Sequence, residues 1–259
     1  MSAEPGRLVE HELRGNVAVL TLNRPDRRNA MVPEMMAELA NQLRQASSSV
    51  AAKAVVLTGA PPAFCVGADL KWVGAAPDAA QAIAAQAAQH HEAVRAMLQA
   101  QVPIVAAVNG PAAGGGMSLA LAADYRLASA SASFTAAYFR LALPPDGGNS
   151  VFLTRMLGPS RAMELLVTNR TLAAQEALSL GLVGQVTLLE DLLDAACAVA
   201  ASMADVPIET LLATRKLLAS AASQPIEAQL DAEEQAMRSA AQRPAFHQAL
   251  QAFLDKAKG

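Results

Sequence analysis

Charged side chains are scarce in this sequence, and so are aromatic side chains and cysteines. Charged residues make up 17% of the 259 residues, against about 25% in typical proteins. The net charge of −3 provides no basic surface, which argues against a nucleic-acid partner. The two cysteines, Cys65 and Cys197, are too few for a disulfide framework and predict a reducing, cytoplasmic compartment.

A long leucine-rich run is also lacking. Residues 96–123 carry no charge and are long enough to span a bilayer, but Pro103, Asn109 and Pro111 interrupt them. Residues 1–16 are polar, without a signal-type apolar core. We therefore expect no membrane association. Because 53% of residues are hydrophobic but only 3% are aromatic, much of the apolar surface is small, which favours close helix packing and a buried oligomer interface.

The first half of the chain repeats one plan. Residues 17–25, 54–61 and 104–111 are short apolar runs that end in Asn, Gly or Pro, and each predicts a strand followed by a turn. Helical spacing follows the first run and precedes the third. It predicts helix faces at Met35, Leu39 and Leu43 after Pro33, and at Ile83, Ala87, Val94, Met97 and Leu98 within 78–101. Alternating strands and helices predict an α/β fold.

The second half reads differently, because the strand signal fades from about residue 160. Helical patterns cover 160–167, 173–181, 190–204, 207–222, 226–240 and 246–258. No Gly/Ser-rich linker separates them from the first half. We therefore expect one domain, with a core over 1–195 and an oligomer-forming helical region over 196–259.

Three consecutive glycines stand at the start of an apolar helical pattern, in NGPAAGGGM (109–117). Free N–H groups at a helix N-terminus can bind an anion or an oxyanion. Neither a P-loop nor a G-x-G-x-x-G motif is present, and tight strand–helix packing is an equally good interpretation of the glycines. A second glycine turn, FCVGADLK (64–71), could supply the second donor that an oxyanion hole needs. We expect Asp69 to cap or brace that turn.

The sequence resembles the crotonase (enoyl-CoA hydratase/isomerase) superfamily in four ordered segments, which are LNRPDRRNAM (22–31), FCVGADL (64–70), VNGPAAGGGMSLALAADYRLAS (108–129) and TNRTLAAQEALSLGLV (168–183). The resemblance implies a spiral of repeated ββα units, C-terminal trimerising helices and an acyl-CoA thioester substrate. It also implies that the main-chain N–H groups of Ala68 and Gly115 form an oxyanion hole for the thioester enolate.

The acid–base residues depart from the hydratase pattern. By the resemblance, the two hydratase glutamates would fall at Ser118 and near Tyr138. One carboxylate remains nearby, Asp146 in LPPDGG. Pro-Asp-Gly is a turn signature in its own right, but the resemblance to enoyl-CoA isomerases, including the ring-opening phenylacetyl-CoA isomerase branch, implies that Asp146 is a single proton shuttle. Such a base is expected to have its pKa raised by burial.

Three functions follow from this pattern. The first is double-bond isomerisation by Asp146. The alternatives are an atypical hydratase that uses Asp146 alone, and a CoA-thioester-binding protein with weak catalysis. A hydrolase with Ser118 as its nucleophile is disfavoured, because Ser118 is not in G-x-S-x-G and no partnered histidine is visible.

The resemblance also implies the remaining contacts. Coenzyme A enters as part of the substrate, with no other cofactor and no metal, and the chain forms a trimer or a dimer of trimers. The CoA-binding positions are Arg28, Ala30, Ala68, Leu70 and Lys71, with Lys256 of a neighbouring subunit. The acyl pocket is expected to use Trp72, Val73, residues 74–89, Ser118 and Tyr138. His90 and His91 lack metal-ligand spacing, because neighbours at i and i+1 do not face each other, and they are expected to be solvated or to line the pocket.

Overall fold

The computed structural model describes residues 6–256. Its strands and helices are, in chain order, β1 (Val9–Arg14), β2 (Val17–Leu22), α1 (Pro33–Ser48), β3 (Ala54–Gly59), α2 (Leu70–Ala75), α3 (Ala79–Leu98), β4 (Ile104–Val108), β5 (Ala112–Ala113), α4 (Gly115–Leu121), β6 (Tyr125–Ser129), β7 (Ser133–Thr135), α5 (Asn149–Leu157), α6 (Pro159–Thr168), β8 (Thr171–Ala173), α7 (Ala174–Ser179), β9 (Gln185–Thr187), α8 (Leu189–Ala204), α9 (Ile208–Ala221), α10 (Ile226–Ala241) and α11 (Pro244–Lys256).

The main sheet contains all three strands that the sequence predicts. Its order is β1-β2-β3-β4-β6-β9. The β1–β2 pair is antiparallel, whereas every following pair is parallel. All residues of β3 and β4 are buried, as expected for parallel strands that are covered on both faces. The predicted α/β class is confirmed.

The register of β3 and β4 determines where the following loops emerge. Val55 pairs with Ile104 and Leu57 with Ala106, so the carboxyl ends of both strands lie at the same edge of the sheet. The loop after β3 and the loop after β4 therefore leave side by side, in the position where open α/β sheets bind ligands. A smaller sheet, β5-β7-β8, lies beyond β4 in the chain.

Helix α1 buries the face that the sequence predicts, whereas helix α3 buries a face that departs in part from its prediction. Met35, Leu39 and Leu43 are buried in α1, which packs against α3. The sequence predicts an α3 face that includes Ile83, Ala87 and Leu98, but Leu98 is 54% exposed. The residues that α3 buries are Ala82, Gln86, His90, Ala93, Val94, Ala96 and Met97. Val94 and Met97 are buried as predicted, whereas the prediction was wrong at Leu98. It also omitted Gln86 and His90, because apolar periodicity does not reveal buried polar residues.

The chain divides into two compact units, and the boundary in the sequence falls between Met203 and Ala204. The sequence predicts the boundary between core and helical region near residue 195. In the second unit, Gln229 of α10 donates from Nε2 to the carbonyl of Leu217 (3.2 Å) and accepts from Ser220 of α9 (3.0 Å). That both units belong to one domain stays a prediction.

The C-terminal helices form where the sequence predicts them. Residues 257 and 258 of the last predicted helix lie outside the described residues, as do residues 1–5 of the polar N-terminal stretch. Within residues 6–256, no single helix is long and apolar enough to cross a membrane, although α8 and α9 together reach that length and hydropathy across the break between them.

Candidate active site

The loops after β3 and β4 are joined by main-chain hydrogen bonds. The N–H of Cys65 donates to the carbonyl of Pro111 (3.2 Å), and the N–H of Ala113 donates to the carbonyl of Cys65 (2.9 Å). Farther along, a Cβ on Gly67 would lie 2.9 Å from the carbonyl oxygen of Ala113 and 3.5 Å from the nitrogen of Gly115. The two glycine segments are thus in direct contact.

The amides of Ala68 and Gly115 are left free by this arrangement. The N–H of Met31 donates to the carbonyl of Gly67 (2.8 Å), and the carbonyl of Met31 accepts from the N–H of Asp69 (2.9 Å). Ala68, between Gly67 and Asp69, therefore makes no main-chain hydrogen bond to Met31. Gly115 is the first residue of α4, where an N–H has no partner within the helix. Among the described residues neither amide donates to a protein acceptor, and both residues line one cavity.

At each of the three consecutive glycines, a different structural constraint disfavours a side chain. Gly114 has φ +52°, a conformation that other residues rarely adopt. A Cβ on Gly115 would lie 2.9 Å from Cε1 of His90, and a Cβ on Gly116 would lie 2.7 Å from the carbonyl carbon of Cys65. Of the two interpretations left open by the sequence, tight packing is confirmed at Gly115 and Gly116, whereas the anion site stays a prediction.

Asp69 holds the second glycine turn in place. Its Oδ1 accepts from the N–H groups of Lys71 and Trp72, both at 3.1 Å, and its Oδ2 accepts from Nη2 of Arg24 at 2.9 Å. Burial alone would raise the pKa of Asp69, but the hydrogen bonds and the charge of Arg24 hold that pKa below its usual value. Arg24 also donates to the carbonyl of Ala30. The predicted bracing role of Asp69 is confirmed.

Asp146 reaches the same cavity from the loop before α5, and the side chains of Tyr138, His90 and His91 surround its carboxylate. The hydroxyl of Tyr138 donates to its Oδ1 (2.9 Å). Nδ1 of His90 and Nε2 of His91 lie 3.5 and 3.8 Å from its Oδ2. Both histidines and Asp146 have ligand atoms within 4.8 Å of one another, but Nε2 of His91 already accepts from the N–H of Gly147 (3.1 Å). The main chain therefore occupies one of three possible metal ligands.

The sequence-based expectation for the pKa of Asp146 was wrong in sign. Burial by itself raises this pKa, as expected. The contact and charge of His90, the hydrogen bond from Tyr138 and the charge of His91 together outweigh burial, so the pKa of Asp146 lies below its ordinary value. The side chain is 31% exposed. Asp146 is therefore an ionised carboxylate at neutral pH and can accept a proton.

Ser118 and Tyr138 form a buried network behind this carboxylate. Nδ2 of Asn149 donates to the Tyr138 hydroxyl (2.8 Å) and to the carbonyl of Gly114 (3.1 Å). The Ser118 hydroxyl lies 3.4 Å from that of Tyr138 and donates to the main-chain carbonyl of Asp146 (3.3 Å). Burial, and then the charge of Asp146, raise the pKa of Tyr138, which stays protonated. Both residues thus serve as hydrogen-bonding groups.

Gln86 of α3 was missed from the sequence, whereas His90 lines the cavity, which is one of the two positions expected for it. Gln86 and His90 are 2% and 1% exposed, line the cavity, and are one helical turn apart. Among the described residues, neither the amide of Gln86 nor the ring of His90 has a hydrogen-bond partner. The sequence did contain a signal for these two residues. Ala82, Gln86, His90 and Val94 follow one another at intervals of four and so lie on one face of the helix. His91 is half-buried.

The cavity has a volume of about 310 Å³ and walls that are mainly apolar. Leu70 and Tyr138 line it together with Ala68, Gly115 and Asp146, whereas Ser118 and Trp72 do not. Trp72 packs, half-buried, against the hydrophobic core. Within residues 79–90, the residues at the cavity are Ile83, Ala84, Gln86, Ala87 and His90.

The positions predicted to bind the CoA carrier lie partly outside this cavity. Arg28 and Lys71 are exposed. The N–H of Ala30 donates to the carbonyl of Arg27 (3.0 Å), and its carbonyl accepts from Arg24, so both main-chain groups have partners. Lys256 is exposed at the last described position of α11.

Taken together, two free main-chain N–H groups and one ionised carboxylate face a single apolar cavity. Such N–H groups stabilise negative charge that develops on an oxygen, and a nearby carboxylate can remove and return a proton. The arrangement is suited to proton transfer next to a polarised carbonyl group.

Comparison with known proteins identifies one family over most of the chain. The family model described as enoyl-CoA hydratase/isomerase matches residues 12–259. The 1,2-epoxyphenylacetyl-CoA isomerase of Escherichia coli K12 is 35% identical over 254 residues, which cover 96% of this chain and 95% of that protein. A protein of Mycobacterium tuberculosis named as a probable enoyl-CoA hydratase is 44% identical over 203 residues, 76% of this chain and 71% of that protein.

A solved structure shares the same architecture. The crystal structure of an enoyl-CoA hydratase from Polaromonas sp. JS666 superimposes with a TM-score of 0.89 at 31% identity, and covers 96% of this chain and 97% of that chain.

Proposed function

The chain belongs to the enoyl-CoA hydratase/isomerase family, and we propose that within this family it is an enoyl-CoA double-bond isomerase with Asp146 as its single acid–base group. The crotonase-type α/β fold expected from the motifs is confirmed by the solved relatives. Choosing among the reactions of the family depends on the residues at the cavity.

One observation carries the choice of isomerase. Among the described residues that line the cavity, Asp146 is the only carboxylate. The positions that the resemblance gives to the hydratase glutamates are held by Ser118 and Tyr138, and both hydroxyls bond to Asp146. Activation of a water by two carboxylates is therefore not available, whereas transfer of one proton by one carboxylate is.

The reaction needs only that carboxylate and the two amides. Asp146 takes the proton from the carbon next to the thioester carbonyl of a 3-enoyl-CoA. The electrons move onto the carbonyl oxygen, where the N–H groups of Ala68 and Gly115 stabilise the enolate. Asp146 then returns the same proton to the far end of the former double bond, which gives the conjugated 2-enoyl-CoA. No other reactant is consumed.

The test is the variant Asp146→Asn, which keeps the size of the side chain but cannot accept the proton. General-base catalysis contributes about 10²–10⁴-fold, so kcat for conversion of 3-enoyl-CoA to the absorbing 2-enoyl-CoA should fall by that amount. The matched control is Asp205→Asn, at an exposed position, which should retain full turnover. Wild-type turnover by Asp146→Asn would overturn the proposal.

Hydration is the second candidate, because most of the similar curated proteins carry the name hydratase. In that reaction Asp146 alone would activate a water that adds to a 2-enoyl-CoA. Loss of 2-enoyl absorbance with the wild-type enzyme, and no change with 3-enoyl-CoA, would favour the hydratase. Binding of the thioester with no turnover of either substrate would favour the weakly catalytic CoA-binding protein.

We extend the proposal to the carrier, the compartment and the assembly. Coenzyme A is bound as part of the substrate, with the main chain of Arg28 at its adenine end and the exposed Lys71 near its phosphates. The protein acts in the cytoplasm and needs no other cofactor and no metal. Exposed apolar side chains on α11 support a trimer or a dimer of trimers; they are Phe246, Leu250, Phe253 and Leu254, exposed by 43–70%. Sedimentation of the full chain tests the assembly, and a monomer would contradict it.

A further inference from the structure

The buried amide of Gln86 is chemically out of place in a cavity that would hold only a hydrocarbon chain. Gln86 is 2% exposed, and among the described residues neither Oε1 nor Nε2 has a hydrogen-bond partner. Its neighbours at the cavity along α3 are Ile83, Ala84 and Ala87. A buried polar group without a partner is destabilising. The amide of Gln86 therefore lowers the stability of the fold unless a ligand forms hydrogen bonds with it.

The position of Gln86 relative to the reacting groups indicates which part of a ligand it meets. His90 lies beside Gly115 and is 3.5 Å from Asp146, so it marks the place where the proton is moved. Gln86 is four residues earlier on the same helix face, about 6 Å along the axis. It therefore faces ligand atoms several bonds away from the thioester carbonyl.

We propose that Gln86 is a specificity-determining residue for acyl groups that carry a hydroxyl or carbonyl oxygen beyond the reacting carbons. This inference rests on the proposed function, because it takes the cavity to hold an acyl-CoA. The amide can donate from Nε2 to such an oxygen and can accept at Oε1 from a hydroxyl. A plain hydrocarbon chain displaces any water from the cavity and returns nothing to the amide, so it binds less well.

Binding of unreactive thioesters tests the inference without any turnover. Titration calorimetry would compare octanoyl-CoA with octanoyl-CoA derivatives that carry one hydroxyl at successive carbons beyond the reacting ones. A hydrogen bond to a buried group that would otherwise be unpaired corresponds to about a ten-fold change in Kd. We expect at least one hydroxylated thioester to bind the wild-type protein about ten-fold more tightly than octanoyl-CoA.

The variant Gln86→Met separates recognition from packing. Methionine keeps the volume and removes the unpartnered amide, so its melting temperature should equal or exceed that of the wild type, while the preference for the hydroxylated thioester should disappear. The matched control is Gln89→Met, on the same helix but not at the cavity, which should keep the preference.

The outcomes that would overturn the inference are distinct. Equal affinity of the wild type for plain and hydroxylated thioesters refutes it and leaves the isomerase intact. Weaker binding of every thioester and of free coenzyme A by Gln86→Met would assign the amide to the carrier instead. A large loss of stability in that variant would assign it to packing. No binding of any thioester would overturn the proposed function and this inference with it.

Discussion

The contact between Gly116 and Cys65 makes Gly116→Ala an informative perturbation of the cavity. The added Cβ would lie 2.7 Å from the carbonyl carbon and 2.8 Å from the Cβ of Cys65, whereas ordinary contact begins at 3.4 Å. The carbonyl oxygen of Cys65 would lie closer still, so the loop that carries Cys65 must retreat by more than 0.7 Å, the difference between 3.4 and 2.7 Å. Its hydrogen bonds to Pro111 and Ala113, at 3.2 and 2.9 Å, oppose that movement.

The expected magnitude follows from three contributions. Overpacking costs about 1–3 kcal/mol, and weakening two main-chain hydrogen bonds adds about 1 kcal/mol each. Alanine recovers about 1 kcal/mol over glycine within a helix. The free energy of unfolding should therefore fall by about 2–4 kcal/mol. Ala68 follows three residues after Cys65, and misplacement of its amide by about 1 Å should lower kcat/KM about 10²-fold.

Urea denaturation followed by circular dichroism measures the stability, and formation of 2-enoyl-CoA measures the turnover of the folded variant. Gly74→Ala is the matched control, because a Cβ on Gly74 in α2 would meet nothing within 4 Å. That control should be more stable than the wild type by up to about 1 kcal/mol, the helix preference of alanine over glycine, and fully active. If Gly116→Ala matched the wild type in both measurements, loop contact would not set the position of the amides, and the reasoning would fail.

Three further predictions concern the polar groups around the cavity. His90→Gln removes a contact that lowers the pKa of Asp146, so the acidic limb of the kcat/KM profile should move to higher pH; an unmoved limb would contradict this. Asp69→Asn should cost about 1–3 kcal/mol at neutral pH. Because the folded pKa of Asp69 is depressed, that difference should shrink as pH falls below about 4, and urea titrations at both pH values would show it. Tyr138→Phe deprives Asn149 of an acceptor at 2.8 Å and should lower the free energy of unfolding by about 1–2 kcal/mol, whereas an unchanged melting temperature would refute it.

Local patterns predicted the elements well, for a physical reason. Runs such as AVVLTG in β3 are mainly apolar and half β-branched, which suits a strand buried on both faces. The side chain of Asp78 accepts from the N–H of Gln81 at the start of α3. The helix therefore begins directly after Asp78, the residue at which the sequence pattern starts. Strand composition and helix capping depend only on residues that are close in sequence, so both can be predicted from a single sequence.

Features that depend on several distant segments were harder to predict. The sign of the pKa shift at Asp146 depends on His90, which is 56 residues away in the chain, and on a hydroxyl from a third segment, that of Tyr138. Burial was foreseeable, but the groups that outweigh it were not. Gln86 was missed because it is a polar residue buried in α3 at a cavity that several distant segments form. Trp72 was expected at the cavity, but it packs against the core instead.

The amides of Ala68 and Gly115 are peptide groups, so almost any codon change at these positions leaves an N–H in place. Proline alone removes one outright, and otherwise only a distorted backbone can misdirect it. The groups at positions 118, 138 and 146 have no such protection, since one substitution replaces each of them. Under the proposed function, a lineage with this scaffold can therefore exchange one proton-transfer reaction for another through a few side chains, while the two enolate-binding amides are inherited unaltered.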